Sequence, residues 1–196
     1  MEIEETNLQS AYNTADDNGK QMLRALFPDV IFLNNGNKQK LPITERIKTF
    51  NDACYELGGK HPYVQDYLNI DNGKVSISPD ILTYLKLRII CAALNEGWEP
   101  KFTEDEYRYY PWFYLYTQQE LDDMDDEEKQ EQHMVDTGNY ETEYCGFGAA
   151  NSDDVLSYTD ANFCSRLCLK NSELATYCGK QFIKLWADFN LKKKTK

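Results

Sequence analysis

One segment of this 196-residue chain is punctuated at both ends as a helix, and a domain of this size is built around such a segment. Ser78 can cap with its side chain. Pro79 has the fixed φ that suits a first helical position, and Asp80 complements the positive end of the helix dipole. Asn95-Glu96-Gly97 closes the segment. Between these ends Ile81, Leu82, Leu85, Ile89, Ala92 and Ala93 form a broad apolar stripe, so the spacing predicts a core helix over 78–96.

The neighbouring segments are shorter. Thr44 reads as the cap of a helix carrying Ile47, Phe50, Cys54 and Leu57, ended by Gly58-Gly59. His61-Pro62 opens a turn of helix through Tyr67, and Asn72-Gly73 signals a hairpin. Residues 1–40 read as an arm or connector, with one helix from about Asp17 to Leu26, a short apolar run Val30–Leu33 suited to a strand, and a turn at Asn34–Asn37. Ser165–Lys170 reads as a strand. Asn171 or Ser172 caps a last helix with Leu174, Cys178, Phe182, Leu185 and Phe189 on its apolar stripe. Residues 191–196 form a solvated basic tail.

The chemistry changes after the core helix. Eight of the fifteen residues from Phe102 to Tyr116 are aromatic. As a strand, this run puts Tyr110, Trp112, Tyr114 and Tyr116 on one face and Tyr109, Phe113 and Leu115 on the other. Such a strand is buried on both sides, or keeps one side for a partner. Thr117-Gln-Gln-Glu120 is a capping box, so a short helix follows. From Thr103 to Glu131 eleven acids face two bases, which puts a charge of −9 on this segment out of −12 for the chain. Residues 133–162 are rich in Gly, Asn, Ser, Thr and Asp and read as short strands and turns.

None of the motifs specifies catalysis. An EF-hand begun at Asp123 has Glu128 where Gly belongs and Met134 where Glu belongs, so it fails. Gly146-Phe-Gly148 lacks the third glycine and the lysine of a phosphate loop. His61 reads as structural, and His133 meets Cys145 only by tertiary accident. Cys164 and Cys168, if on a strand, stand roughly 13 Å apart, too far for one metal. No cofactor and no metal are expected.

The formal charge of −12 repels nucleic acid and anionic membranes, and no apolar run approaches the ~18 residues of a membrane span. The acidic start Met1–Glu5 is unlike a signal peptide. With six cysteines in apolar or loop settings and no export signal, free thiols in a reducing compartment are expected, namely a bacterial host cytoplasm or a virion assembled there.

Five blocks, Thr44–Cys54, Ala93–Trp98, Tyr109–Phe113, Ser165–Cys168 and Tyr177–Phe189, resemble a small uncharacterised family encoded by Bacteroidetes phages and prophages. This resemblance covers about residues 41–190 and brings no activity with it. Gly138–Leu169 is also similar in layout to the C-terminal part of C-type-lectin-like and formylglycine-generating-enzyme-like domains, through Ala150-Asn151, Ala161-Asn162 and Ser165-Arg-Leu167. The closing Gly-Phe of those domains is replaced by Cys164-Ser165. That likeness implies a loop-presenting ligand-binding scaffold and no catalytic residue.

The expected fold is α+β. A helical half (41–97) packs on an irregular antiparallel sheet (98–170) with a C-type-lectin-like layout and is closed by a C-terminal helix; residues 41–190 form the single domain. The expected function is a non-enzymatic, phage-encoded protein-binding module, with a place in the virion implied by the phage resemblance. Its surface would comprise Asn139, Tyr140, Tyr144, Asn151, Ser152, Ser157 and Tyr158. The alternative is an intracellular acidic regulator or anti-defence protein that offers Asp122, Asp123, Asp125 and Asp126 to a basic cleft on a host protein. Both readings call for a protein partner, from the virion or the host, and leave self-association open.

Overall fold

The computed structural model describes residues 5–27, 30, 32, 41–71, 76–101, 103–156 and 165–194. The chain is an α+β protein. Among the described residues, helices α1 (Glu5–Thr14), α2 (Asp17–Leu26), α3 (Ile43–Arg46), α4 (Phe50–Leu57), α5 (Pro62–Asp71) and α6 (Pro79–Leu94) precede a sheet. The sheet comprises β1 (Tyr107–Tyr116), β2 (Val135–Asp136) and β3 (Gly146–Leu156), antiparallel in the order β1-β3-β2. Two short helices, α7 (Gln118–Asp123) and α8 (Asp126–Glu131), lie between β1 and β2. Helices α9 (Ser172–Gln181) and α10 (Ile183–Asn190) close the fold.

Helix α6 is central, packing on α4, α5 and α10. Its buried surface differs from the expected stripe. Leu87, Ile89, Ile90, Cys91, Ala93 and Leu94 are all fully enclosed, whereas Ile81 is exposed and Leu82, Leu85 and Ala92 are half-buried. Most of the second half of the helix is enclosed, with only Arg88 and Ala92 half-buried, so its burial is wider than one stripe. Asn95 does more than end the helix. Its amide donates to the Cys168 carbonyl at 2.9 Å and accepts from the Lys170 N–H at 3.0 Å.

That clamp changes the reading of 165–170. Ser165–Leu167 is a turn of 3₁₀ helix instead of a strand, and Leu169 alone makes a two-bond bridge to Tyr109. Asn95 supplies to Cys168 and Lys170 the hydrogen bonds a neighbouring strand would otherwise provide.

The helix expected from Thr44 is two helices. Pro42 precedes α3, the chain extends at Ile47, and Thr49 caps α4 in a capping box with Asp52. Gly58 ends α4 at φ 81°. Helix α5 runs beyond Tyr67 to Asp71. The Asn72-Gly73 hairpin and the Asn34–Asn37 turn lie outside the described residues. Among the described residues of 1–40 there are two helices, and Val30 and Phe32 are not in a strand. This segment docks on α4: Tyr12 stacks on Phe32 at 4.8 Å and leans on Tyr55 at 5.1 Å. The C-terminal helix is broken at Phe182 into α9 and α10. In the tail, Lys192 pairs with Glu141, Lys193 with Asp188, and the Lys194 N–H donates to the Asn139 carbonyl. The tail is exposed, but it runs pinned along residues 138–141.

The largest departure concerns residues 133–162. Instead of a loop-rich surface, Gly146–Leu156 is an eleven-residue middle strand, paired with β1 along its length and with β2 at its start. The residues between 133 and 145 hold only the short β2 and its turns.

Candidate functional site

The sheet has two unlike faces because β1 alternates. Tyr109, Pro111 and Phe113 point toward α9 and α10. Phe113 stacks on Phe147 at 4.7 Å and touches Trp186 at 5.6 Å, and Gly179 of α9 leaves room for Pro111. Pro111 is tolerated in the strand because it is in phase with Tyr109, whose N–H and carbonyl are turned away from β3 toward Leu169. A proline there removes no hydrogen bond to β3.

Part of the outer face is covered by α7 and α8. A Cβ at Gly146 would stand 2.9 Å from Leu121 and Met134, and one at Gly148 would stand 2.6 Å from Gln132 and 3.1 Å from Tyr116. These two glycines therefore let the acidic hairpin of helices lie on the sheet. Tyr116 donates to the Gln132 Oε1 at 2.5 Å, and burial raises its phenol pKa.

The next stretch of the outer face is bare. Trp112 is 41 % exposed and Tyr114 47 %. Trp112 stands opposite Asn151 across the strand pair, where the register shifts by one residue, and with Tyr114, Ser152 and Asp153 they frame a shallow concavity of about 210 Å³. Ser152 is held by a 2.5 Å hydrogen bond to Ser172 at the start of α9.

The sequence-expected surface residues do not gather into one patch. Asn151 and Ser152 are at this concavity. Asn139 is exposed beside the C-terminal tail. Tyr144 is exposed, its carbonyl accepting from Thr137 Oγ1 at 2.5 Å. Tyr140 is buried and so is no surface residue: its hydroxyl donates to Asp188 at 2.7 Å, and burial beside that carboxylate pushes the phenol up to about 12. Ser157 and Tyr158 lie outside the described residues.

The acidic candidates do share a surface. Asp122, Asp123, Asp125 and Asp126 are exposed on α7 and α8, and none forms an ion pair among the described residues. Asp125 also caps α8 in a capping box with Glu128, and Thr117 caps α7 with Glu120, whose carboxyl is held low by the Thr117 N–H.

Sequence reasoning missed a polar cleft of about 420 Å³ at the ends of α4 and α6. Arg46 bridges Glu56 and Glu96, and Lys170 adds a 3.0 Å bond to Glu96. The Lys170 and Arg46 contacts hold the Glu96 carboxyl low. His61 also lines this cleft. Its Nδ1 accepts from the Tyr63 N–H at 3.2 Å, and burial with Arg88 nearby lowers its pKa despite Glu99. A neutral imidazole protonated on Nε2 follows. The lining offers no Ser, Thr or Cys to activate, and two of its acids, Glu56 and Glu96, are paired with bases. No local signal could have revealed this cleft, since its parts come from four separate segments.

Among the described residues no three His, Cys, Asp or Glu side chains are placed to hold a metal ion, and no helix is long and apolar enough to cross a membrane. The described cysteines form no disulfide. Cys54, Cys91, Cys168 and Cys178 are buried, and burial pushes the Cys54 thiol up to about 12. Cys164 is not among them. No family model, curated protein or solved structure matches the chain.

Proposed function

We propose that the chain is a non-catalytic module that binds a protein partner through the bare outer face of its sheet. The observation that supports this reading is the pair Trp112 and Tyr114, left exposed on a strand whose other side is packed, beside Asn151 and Asp153. Rigid aromatics give contact area at small entropic cost, and neighbouring amide and carboxylate groups give hydrogen bonds. The site is on the paired strands β1 and β3 instead of on the long loops expected from the sequence. Under the phage resemblance the partner would be a virion protein or a host protein.

The second reading, an acidic contact surface on α7 and α8, is favoured by the lack of ion pairs at its four aspartates. One experiment separates the two. The full chain is expressed in the bacterial host with a photo-crosslinking benzoylphenylalanine at Tyr114 or, separately, at Gln119 on α7. The first reading expects a defined protein adduct from Tyr114, identified by mass spectrometry and lost on Trp112→Ala. An adduct that forms from Gln119 instead, and weakens with added salt or on changing the four aspartates to Asn, would establish the acidic surface and reject the aromatic one.

A further inference from the structure

The charge of this molecule is not spread evenly, and one cleft is an exception to it. Acids outnumber bases 33 to 21 in the chain. Three of the clefts have at least one carboxylate in their lining, contributed by Glu56, Asp80 or Asp153 among others. A fourth, of about 720 Å³, has none. It lies between the end of α8 and the α9–α10 junction, and Lys129, His133, Lys180 and Lys184 stand around it. Its wall is mainly apolar, with Met134, Val135 and Leu185 beside the edges of the buried Phe182 and Ile183, and Gln130 and Gln181 at its sides. None of the three lysines forms an ion pair among the described residues, while Lys170, Lys192 and Lys193 elsewhere all do.

The α8 end of this cleft has a defined backbone. The Met134 N–H reaches back to the Lys129 carbonyl and the His133 N–H to that of Gln130, both at 3.1 Å, with His133 at φ 51°. This is a helix-ending motif that normally takes glycine. Here it holds an imidazole at the mouth of the cleft.

We infer that this cleft binds a small phosphate monoester with an apolar or aromatic body. Three compact ammonium groups act as point charges around a lining with no carboxylate, and this concentration of positive charge suits a phosphate dianion better than a singly charged carboxylate. The apolar wall takes the body of the ligand, and the volume falls within the range of small-molecule sites. This inference is independent of the protein-binding surface proposed above.

The test uses the full chain, labelled for amide NMR, with three probes: phenyl phosphate, inorganic phosphate and phenol. Phenyl phosphate is expected to bind saturably, with shifts centred on residues 129–135 and 180–185, and more tightly than either fragment. Lys180→Gln with Lys184→Gln should weaken it by about tenfold or more, since each lost charged contact is a sizeable share of such an affinity. Lys192→Gln with Lys194→Gln should leave it unchanged. His133→Gly provides a check that separates binding from folding, because it should raise the melting temperature while weakening the ligand. No saturable binding, shifts spread over the C-terminal tail, or equal affinity in the Lys180/Lys184 variant would each overturn the inference.

Discussion

The two faces of β1 carry the same kind of residue, yet in the middle of the strand they have opposite roles, although Arg108 and Tyr110, on the same face as Trp112, are buried. Phe113 and Trp112 are neighbours in the chain. Phe113 lies against Phe147 and Trp186 beneath α9, while Trp112 is 41 % exposed beside Asn151. The difference arises from what each face meets. Helices α9 and α10 return over the inner face, whereas α7 and α8 stop at the two glycines of β3 and cover only one end of the outer face. Aromatic content alone therefore does not mark core in this protein; the reach of the covering helices does.

That contrast can be broken most directly at Phe113. Phe113→Ala should cost about 3 kcal/mol by opening a cavity between the sheet and α10, read as a large fall in denaturant midpoint. A loss under about 1 kcal/mol would mean the inner face is loosely packed. Gly179→Ala tests the same face from the helix side. Alanine gains about 1 kcal/mol of helix propensity, but its Cβ would stand 2.9 Å from the Pro111 ring, which cannot yield as a flexible chain would. A net loss of about 1–2 kcal/mol is expected, and a stabilised variant would show that α9 can lift off β1.

Tyr140 and Tyr144 repeat the contrast at smaller scale. Tyr140→Phe removes a hydrogen bond to Asp188 and should cost about 1 kcal/mol in chemical denaturation, while Tyr144→Phe should be silent. His61 adds a pH dependence confined to the helical half. Its folded pKa lies below the ordinary 6.5, so the unfolded chain takes up the proton first as the pH falls. The contribution of His61 is complete above pH 6.5 and is lost as the pH falls toward the folded value. His61→Gln should flatten this part of a melting-temperature profile between pH 7 and about 5. The smallest effect belongs to the outer face: Trp112→Ala and Tyr114→Ala should each shift stability by no more than about 0.5 kcal/mol in thermal melts. A larger loss would show that these rings serve the fold and not a partner.

Several features were legible because their partners are close in sequence. The capping box at Thr117, the Pro79 start of α6 and the positive-φ glycines 58 and 97 all rest on contacts within a few residues, although Ser78, at the N-cap position of α6, makes no side-chain capping hydrogen bond. The strand character of 107–116 and its alternation were also legible. The candidate surface was less so. Asn151 and Ser152 read as loop residues from their neighbours yet sit on a strand; Tyr140 reads as exposed yet is buried, because the tail and Asp188 close over it.

By itself, the sequence determined the ends of α6 and the start of α7, which strand alternates, and where the negative charge accumulates, since each of these depends on neighbours within about one turn or on simple sums of charge. Only the tertiary structure decided that Gly146–Leu156 is the middle strand, which stretch of β1 is left bare, and that lysines from α8 and α9–α10 share one cleft. The reason is physical. Gly, Ala, Asn and Asp have little intrinsic preference for a strand, and β3 is held because β1 bonds it along its length and β2 bonds its start. Which aromatic is buried depends on where a helix some seventy positions further along the chain comes to rest, and that depends on long-range packing rather than on the local pattern of residues.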